Sequence, residues 1–320
     1  MSDMHRLDRR HLLTLGVGAF VVAGVPFLAR GQRRIVRRKV PVMGTIADLA
    51  VVDKEERAAH VAIDAAVAAL RHVEGRMSFF LADSDVGRVN SRRDGVSVHR
   101  DTATVLERAL RWAAATDGAF DPCLGGPSRL WDVKHRNTPP SGRAAGTFSH
   151  GRLWRDLDLE GRRVRLHGTR AQVDLGGIAK GHAVDLAVRA LREHGVRDGL
   201  VNVGGDLYAL GHSEDGDAWR VGIRDPQDAD RILGSLEIRD EAVATSGDYE
   251  QGFEHGGRRY HHLLDASTGE PCRARCHSVT VRAPSCLDAD AAATAAFLLE
   301  GAAEGPVQAA APRAVIVRTA

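Results

Sequence analysis

Apolar residues recur at helical spacing along residues 55–73, placing Ile63, Val67, Leu70 and Val73 on one face. The same period returns over residues 101–115, with Leu106, Leu110 and Ala113 in the stripe and Thr102 as the N-cap. Residues 183–194 and 289–299 predict two further helices. Between them lie shorter stretches rich in β-branched residues, at 40–52, 201–206, 219–223, 236–238, 242–245, 259–264 and 314–317, which read as strands. Residues 157–166 carry Glu160-Gly161 at their middle and predict a hairpin, whereas 127–150 lack any period and read as a surface excursion. No internal repeat stands out. The mixture predicts an α+β fold with mixed, largely antiparallel sheets and packed helices.

Composition adds little to that picture. The 320 residues are 43% hydrophobic and 27% charged, enough for a sizeable core in one large domain or two intimately packed halves. Charge is more informative. The formal net charge is +2, but residues 1–39 carry nine basic and two acidic residues, so the remainder holds 35 basic against 40 acidic groups. A mildly acidic body offers no nucleic-acid surface.

The basic end has its own logic. Asp8-Arg9-Arg10-His11-Leu12-Leu13 sets twin arginines directly before an apolar run over residues 12–29. This resembles a twin-arginine (Tat) export signal, whose cargo crosses the membrane already folded. Gly16, Gly18, Gly24 and Pro26 make the run a poor spanning helix, and no small-x-small cleavage site precedes Arg30. The expected organisation is a signal and basic segment over 1–39 and one domain over 40–320. The expected location is periplasmic or otherwise extracytoplasmic, with N-terminal membrane anchoring as the alternative. In that compartment some of Cys123, Cys272, Cys276 and Cys286 could pair. Cys272-x3-Cys276-His277 looks like half a zinc site, but no second pair completes it.

The densest chemistry lies in Asp174-Leu175-Gly176-Gly177-Ile178-Ala179-Lys180-Gly181. Glycines let backbone groups approach a phosphate or metal, and the acid and lysine add one charge of each sign. Asp290 and Thr294, four apart on a predicted helix, present two hard oxygens suited to Mg²⁺. Alternatively, an Asp near a helix start meets the dipole and a Thr bonds back to a carbonyl. His262 stands near a strand end as a candidate base, and Asp265 reads as the cap of the Ser267-Thr268-Gly269 turn. Ser246, within Thr245-Ser246-Gly247, offers a hydroxyl to a ligand, while Gly204-Gly205-Asp206 reads as a tight turn whose acid satisfies local amides. No nucleophile elbow, Walker loop or strand-linked G-x-G-x-x-G occurs, which argues against a serine hydrolase, a P-loop enzyme and a Rossmann dehydrogenase.

Taken in order, these motifs resemble the ApbE-type family of FAD:protein FMN transferases. The resemblance runs through Met43-Gly44-Thr45, Met77-Ser78-Phe79-Phe80, Asp83-Ser84-Asp85, Arg88-Val89-Asn90 and Gly118-Ala119-Phe120-Asp121-Pro122. It continues through residues 173–181 with Asp185, Asn202–Asp206, Thr245–Gly247 with Tyr249, His262–Asp265, and Asp288-Ala289-Asp290 with Thr294. It implies an ApbE-like fold and an enzyme that splits FAD, esterifies FMN to a threonine of a partner flavoprotein and releases AMP. It further implies Mg²⁺, or Mn²⁺, on the Gly177 carbonyl, Asp290 and Thr294. Met43, Phe80, Ala119, Phe120, Asp121, Asp174, Lys180, Ser246 and His262 would line the FAD site, with His262, Lys180 and Asp174 as the catalytic candidates. Phe80 stands where the family often has a tyrosine, and Ala266 where a proline usually follows the acid. An FAD pyrophosphatase, or an exported FAD-binding protein without turnover, are the competing readings.

Overall fold

The computed structural model describes residues 34–92, 94–141, 151–228 and 230–320, with the backbone of two short pieces at 15–17 and 20–22. Its centre is a seven-stranded sheet built from β3 (Arg34–Val42), β4 (Thr45–Asp53), β8 (Gly199–Val203), β9 (Asp206–Leu210), β12 (Glu241–Gly247), β17 (Ser278–Ala283) and β18 (Val315–Thr319). The strand order is β18-β17-β12-β9-β8-β4-β3, and every neighbouring pair is antiparallel. Both faces are covered, so β8 and β9 show no polar alternation and every residue of each is buried, Asn202 and Asp206 included.

Side chains alternate between the two faces. Ala47, Leu49, Val51, Val201, Val203, Tyr208, Leu210, Ala242 and Ala244 join the larger core under the helices. Ala50, Val52, Leu200, Leu207, Ala209 and Val243 join a second cluster with Trp219, Val221, Ile223 and Ile238. That second cover comes from β10 (Trp219–Arg224) and β11 (Ile232–Ile238). The backbone of β1 (Leu15–Val17) and β2 (Phe20–Val22) forms a hairpin whose second strand pairs with β10. The twin arginines and the rest of the N-terminal apolar run lie outside the described residues. No helix among the described residues is long and apolar enough to cross a membrane.

On the first face lie α1 (Glu56–Met77), α3 (Arg100–Ala115), α5 (Ala179–Glu193) and α6 (Cys286–Leu299), with the shorter α2 (Asp85–Ser91), α4 (Gly125–Trp131) and α7 (Glu304–Ala310) around them. The predicted stripe of α1 is its buried face, extended by Ala59, Ala62, Ala66 and Met77. Helix α6 is apolar on nearly every side and lies between the sheet and the other helices, with six buried alanines that permit close approach. Smaller sheets complete the chain: β5 (Val96–Ser97) with β7 (Arg163–Leu166) and β6 (Leu157–Glu160), and the hairpins β13 (Gly252–His255) with β14 (Arg258–His261) and β15 (Leu264–Asp265) with β16 (Glu270–Pro271).

Three local expectations change. The single strand over 40–52 is a hairpin, because Met43 and Gly44 both turn through positive φ, at 53° and 70°. Helix α3 is capped by His99, whose Nδ1 accepts from the Asp101 amide at 3.2 Å; Thr102 is instead buried and donates to Asp85 Oδ2 at 2.7 Å. Within the predicted excursion, residues 125–131 form α4, and 142–150 lie outside the described residues. All four cysteines are free.

Candidate active site

The turns at one end of the large sheet bring the motifs together. Register pairs Ala47 with Val203, Val203 with Asp206 and Ala244 with Asp206, so the 43–44 and 204–205 turns and the end of β12 share that edge. An added Cβ at Gly204 would stand 2.9 Å from the Thr45 side chain, and Thr245 N–H donates to the Gly205 carbonyl at 3.2 Å. Above this edge, Asn90 clamps the glycine loop through both of its amide atoms: Val173 N–H donates to Oδ1 at 2.6 Å, and Nδ2 donates to the Val173 carbonyl at 2.8 Å. The loop then turns on Asp174, whose Oδ1 accepts from Gly176 N–H at 2.9 Å, and enters α5 at Ala179.

Helix α5 starts earlier than its apolar period indicates, and this places Lys180 in its first turn. Lys180 Nζ donates to Asp206 Oδ2 and lies 3.5 Å from Asp290 Oδ1. Asp290 Oδ2 accepts from Gly181 N–H at 3.0 Å. Gly181 sits in the helix because α5 and the start of α6 touch there: an added Cβ would lie 2.2 Å from the Cys286 carbonyl oxygen. The Gly181→Ala variant is accordingly expected to lose about 3 kcal/mol of stability in urea unfolding, the overpacking cost of forcing two helices apart. Asp185, one turn further on, accepts from Cys286 and Leu287 N–H at 2.8 and 3.0 Å and anchors α6 to α5.

Two members of this cluster were not read as site residues from the sequence. Asp206, expected to satisfy turn amides, gives its carboxylate to Lys180, and Asn202 Oδ1 takes the Gly205 N–H instead. Glu250 follows the Thr245–Tyr249 motif, and its Oε1 is buried without a hydrogen-bond partner among the described residues. Burial pushes the Glu250 carboxyl up to about 7, against the pull of Lys180. Burial likewise raises Asp206 and Asp290, and Lys180 opposes both shifts. Burial pulls the Lys180 ammonium down, but Asp206 and Asp290 more than offset it and the ammonium stays protonated. Three carboxylates around one ammonium carry a net −2 when all are ionised.

Beside this excess negative charge lie the oxygen donors of the candidate metal site. An added Cβ at Gly177 would stand 3.2 Å from Thr294 Oγ1 and 3.3 Å from Phe120 Cε2, so loop, α6 and the 118–122 turn converge there. Thr294 Oγ1 also lies 3.2 Å from Ser246 Oγ. Backbone carbonyl, carboxylate and hydroxyl, all hard oxygens next to uncompensated buried acids, fit a small divalent cation such as Mg²⁺.

The remaining predicted residues stand on separate turns and strands. Asp121 takes Cys123 N–H at 2.9 Å and Trp154 N–H at 3.1 Å, and burial raises its carboxyl to about 6. Phe120 is buried, held by a bond from its N–H to Thr116 Oγ1 at 3.1 Å, and Ala119 N–H bonds the Thr116 carbonyl at 3.0 Å. Met43 N–H donates to Glu74 Oε1 at 2.7 Å. The Phe80 ring is 83% exposed and touches Phe79 edge-on, leaving a face that a planar ligand can cover. His262 has a buried Nδ1 without a partner among the described residues; burial, with His261 and Lys180 nearby, lowers it to about 4 and keeps the ring neutral. Asp265 caps its turn as expected, accepting from Ser267 N–H at 2.8 Å.

Comparison with known proteins agrees with this geometry. The ApbE family model matches residues 43–315. The chain is 34% identical over 307 residues to the FAD:protein FMN transferase of Treponema pallidum, covering 89% of this chain and 84% of that protein. It is 34% identical over 242 residues to the FAD:protein FMN transferase of Vibrio cholerae, covering 72% and 71%. Among solved structures, the flavin transferase ApbE from Vibrio cholerae matches with a TM-score of 0.75 and 29% identity over 87% of this chain and 91% of that one. The ApbE protein of Thermotoga maritima matches with a TM-score of 0.75 and 30% identity over 84% and 88%.

Proposed function

The chain belongs to the ApbE family, and we propose that it is an FAD:protein FMN transferase that esterifies FMN to a threonine of a partner protein and releases AMP. The observation that carries this reading is the buried cluster in which Lys180 meets Asp206, Asp290 and Glu250 beside Gly177 and Thr294. The Gly177 carbonyl, Asp290 and Thr294 would hold Mg²⁺ or Mn²⁺. When bound there, the ion supplies neutralising charge to the pyrophosphate oxygens.

The chain's own residues supply the rest. Gly176 and Gly177 carry no side chain to keep the phosphates away, and Lys180 stays protonated to oppose their charge. The exposed Phe80 ring receives the flavin. The threonine oxygen attacks the phosphorus of the FMN half in line with the bridging oxygen. One P–O bond forms, the bridging P–O bond breaks, and AMP departs with the bridging oxygen. The hydroxyl proton passes to His262, neutral in the free protein and made more basic by the nearby pyrophosphate anion. The His262→Ala variant is expected to bind FAD normally in a fluorescence titration and transfer FMN about 10²-fold more slowly. Undiminished transfer removes His262 from the chemistry.

The reaction is tested with the chain, FAD, Mg²⁺ and an acceptor carrying an Asp-Gly-Ala-Thr-Ser/Thr segment. A flavin-fluorescent acceptor band after denaturation, with equimolar AMP, supports the transferase. AMP without a labelled acceptor makes the chain an FAD pyrophosphatase, and neither product leaves an FAD-binding protein. Export rests on Arg9-Arg10 and the apolar run behind them. Cytoplasmic retention of the Arg9→Lys/Arg10→Lys variant supports it, and unchanged export removes it.

A further inference from the structure

A second group of chemistry-bearing side chains lies where α1 meets the start of α3. His72 on α1, His99 at the cap and Asp101 in the first turn of α3 each bring one donor atom within 4.8 Å of the others. His72 Nε2 lies 2.9 Å from Asp101 Oδ2, and the two imidazole rings meet edge to face with centroids 4.9 Å apart. His99 Nδ1 faces the same carboxylate oxygen, 3.3 Å from Asp101 Oδ2, and the cap bond it accepts from Asp101 N–H at 3.2 Å is the one an ion would replace. All three are partly accessible, with side-chain exposures of 35%, 30% and 16% for His72, His99 and Asp101.

Beneath them lies His182 on α5. It is 92% buried, being only 8% exposed, and its Nε2 has no hydrogen-bond partner among the described residues. After burial, which lowers it to about 4, Asp101 is the strongest influence on it and His72 also acts on it. His182 is thus a third, neutral imidazole next to the group, with a buried nitrogen that lacks a partner among the described residues.

We propose that His72, His99 and Asp101 form a binding site for a borderline divalent transition ion, Zn²⁺ above all, distinct from the oxygen-lined site at Gly177, Asp290 and Thr294. Two imidazoles and one carboxylate suit such an ion, whereas Mg²⁺ prefers an all-oxygen shell. In a tetrahedral zinc site with bonds of roughly 2.0–2.1 Å, neighbouring ligand atoms lie about 3.3 Å apart. The 2.9 Å contact between His72 and Asp101 needs to open only slightly to admit the ion. Bound there, the ion ties α1 to α3 above His182, on the helix that carries Lys180.

The test is calorimetric titration of the full chain with Zn²⁺ in excess Mg²⁺, together with Co²⁺ absorption as a coordination probe. The His72→Gln and His99→Asn variants remove a ligand, and the second keeps a capping side chain. Expected are one zinc equivalent in the parent, a d–d band with Co²⁺, at least a tenfold weakening in each variant, and full zinc binding in Asp290→Asn. No zinc uptake by the parent, or affinity unchanged in both histidine variants, overturns the site. Loss of zinc in Asp290→Asn alone also overturns it, by assigning the ion to the other centre.

Discussion

The Asp290→Asn variant is expected to fold and to lose FMN transfer by about 10²–10³-fold, the usual effect of removing one preorganised charge from a phosphoryl-transfer site. Asparagine keeps the size of the side chain, and its oxygen can still accept the Gly181 N–H that Asp290 holds at 3.0 Å. What disappears is the anionic oxygen facing Lys180 at 3.5 Å and the charged donor beside Thr294. Because the Asp290 charge repels the buried Asp206 and Glu250 carboxylates, neutralising it relieves that repulsion in the free protein. Stability in urea should therefore hold or rise while transfer collapses. A variant that transfers FMN at the parent rate would show that Asp290 holds no ion.

Lys180→Met carries the second large effect, and its two parts are separable. Methionine fills the same volume but leaves Asp206 and Asp290 buried without their cation. Breaking such a pair costs about 3 kcal/mol, read as a lower urea midpoint. Transfer should fall as well, since the cation drawn into the cluster by Asp206 and Asp290 is gone. Adding Asp206→Asn to Lys180→Met removes the unpaired acid beneath. The double variant should regain much of the stability and none of the activity. If activity returned with stability, Lys180 would be a structural partner of Asp206 rather than a charge aimed at the pyrophosphate.

Much of this was legible along the chain, and what was not is nonlocal. The stripes of α1 and α3 are periodic because one face of each meets the same core, so counting residues finds them. The α+β class, and the ApbE family itself, followed from the order of elements and motifs. The start of α5 is hidden because Lys180-Gly181 reads as loop chemistry; Gly181 is there for contact with α6, more than a hundred residues away in sequence. The 43–44 turn was hidden by the apolar alternation running through it, and Met43 at positive φ leaves no compositional trace. Nothing in the residues next to Glu250 marks it, because the charges it meets, Lys180 and Asp290, are brought in by other elements. Asp206 reads as a turn acid, but Asn202 satisfies that turn and leaves the Asp206 carboxylate for Lys180.

The central claim is that this pocket transfers FMN and does not merely cleave or hold FAD. The direct measurement is the intact mass of a threonine acceptor after incubation with the chain and FAD, with Mg²⁺ or with chelator, alongside a Thr-to-Val acceptor. The account predicts a gain of one FMN less one water, on the threonine acceptor only and in Mg²⁺ only. An unchanged acceptor mass while AMP accumulates, or the same gain on the valine acceptor, would contradict it.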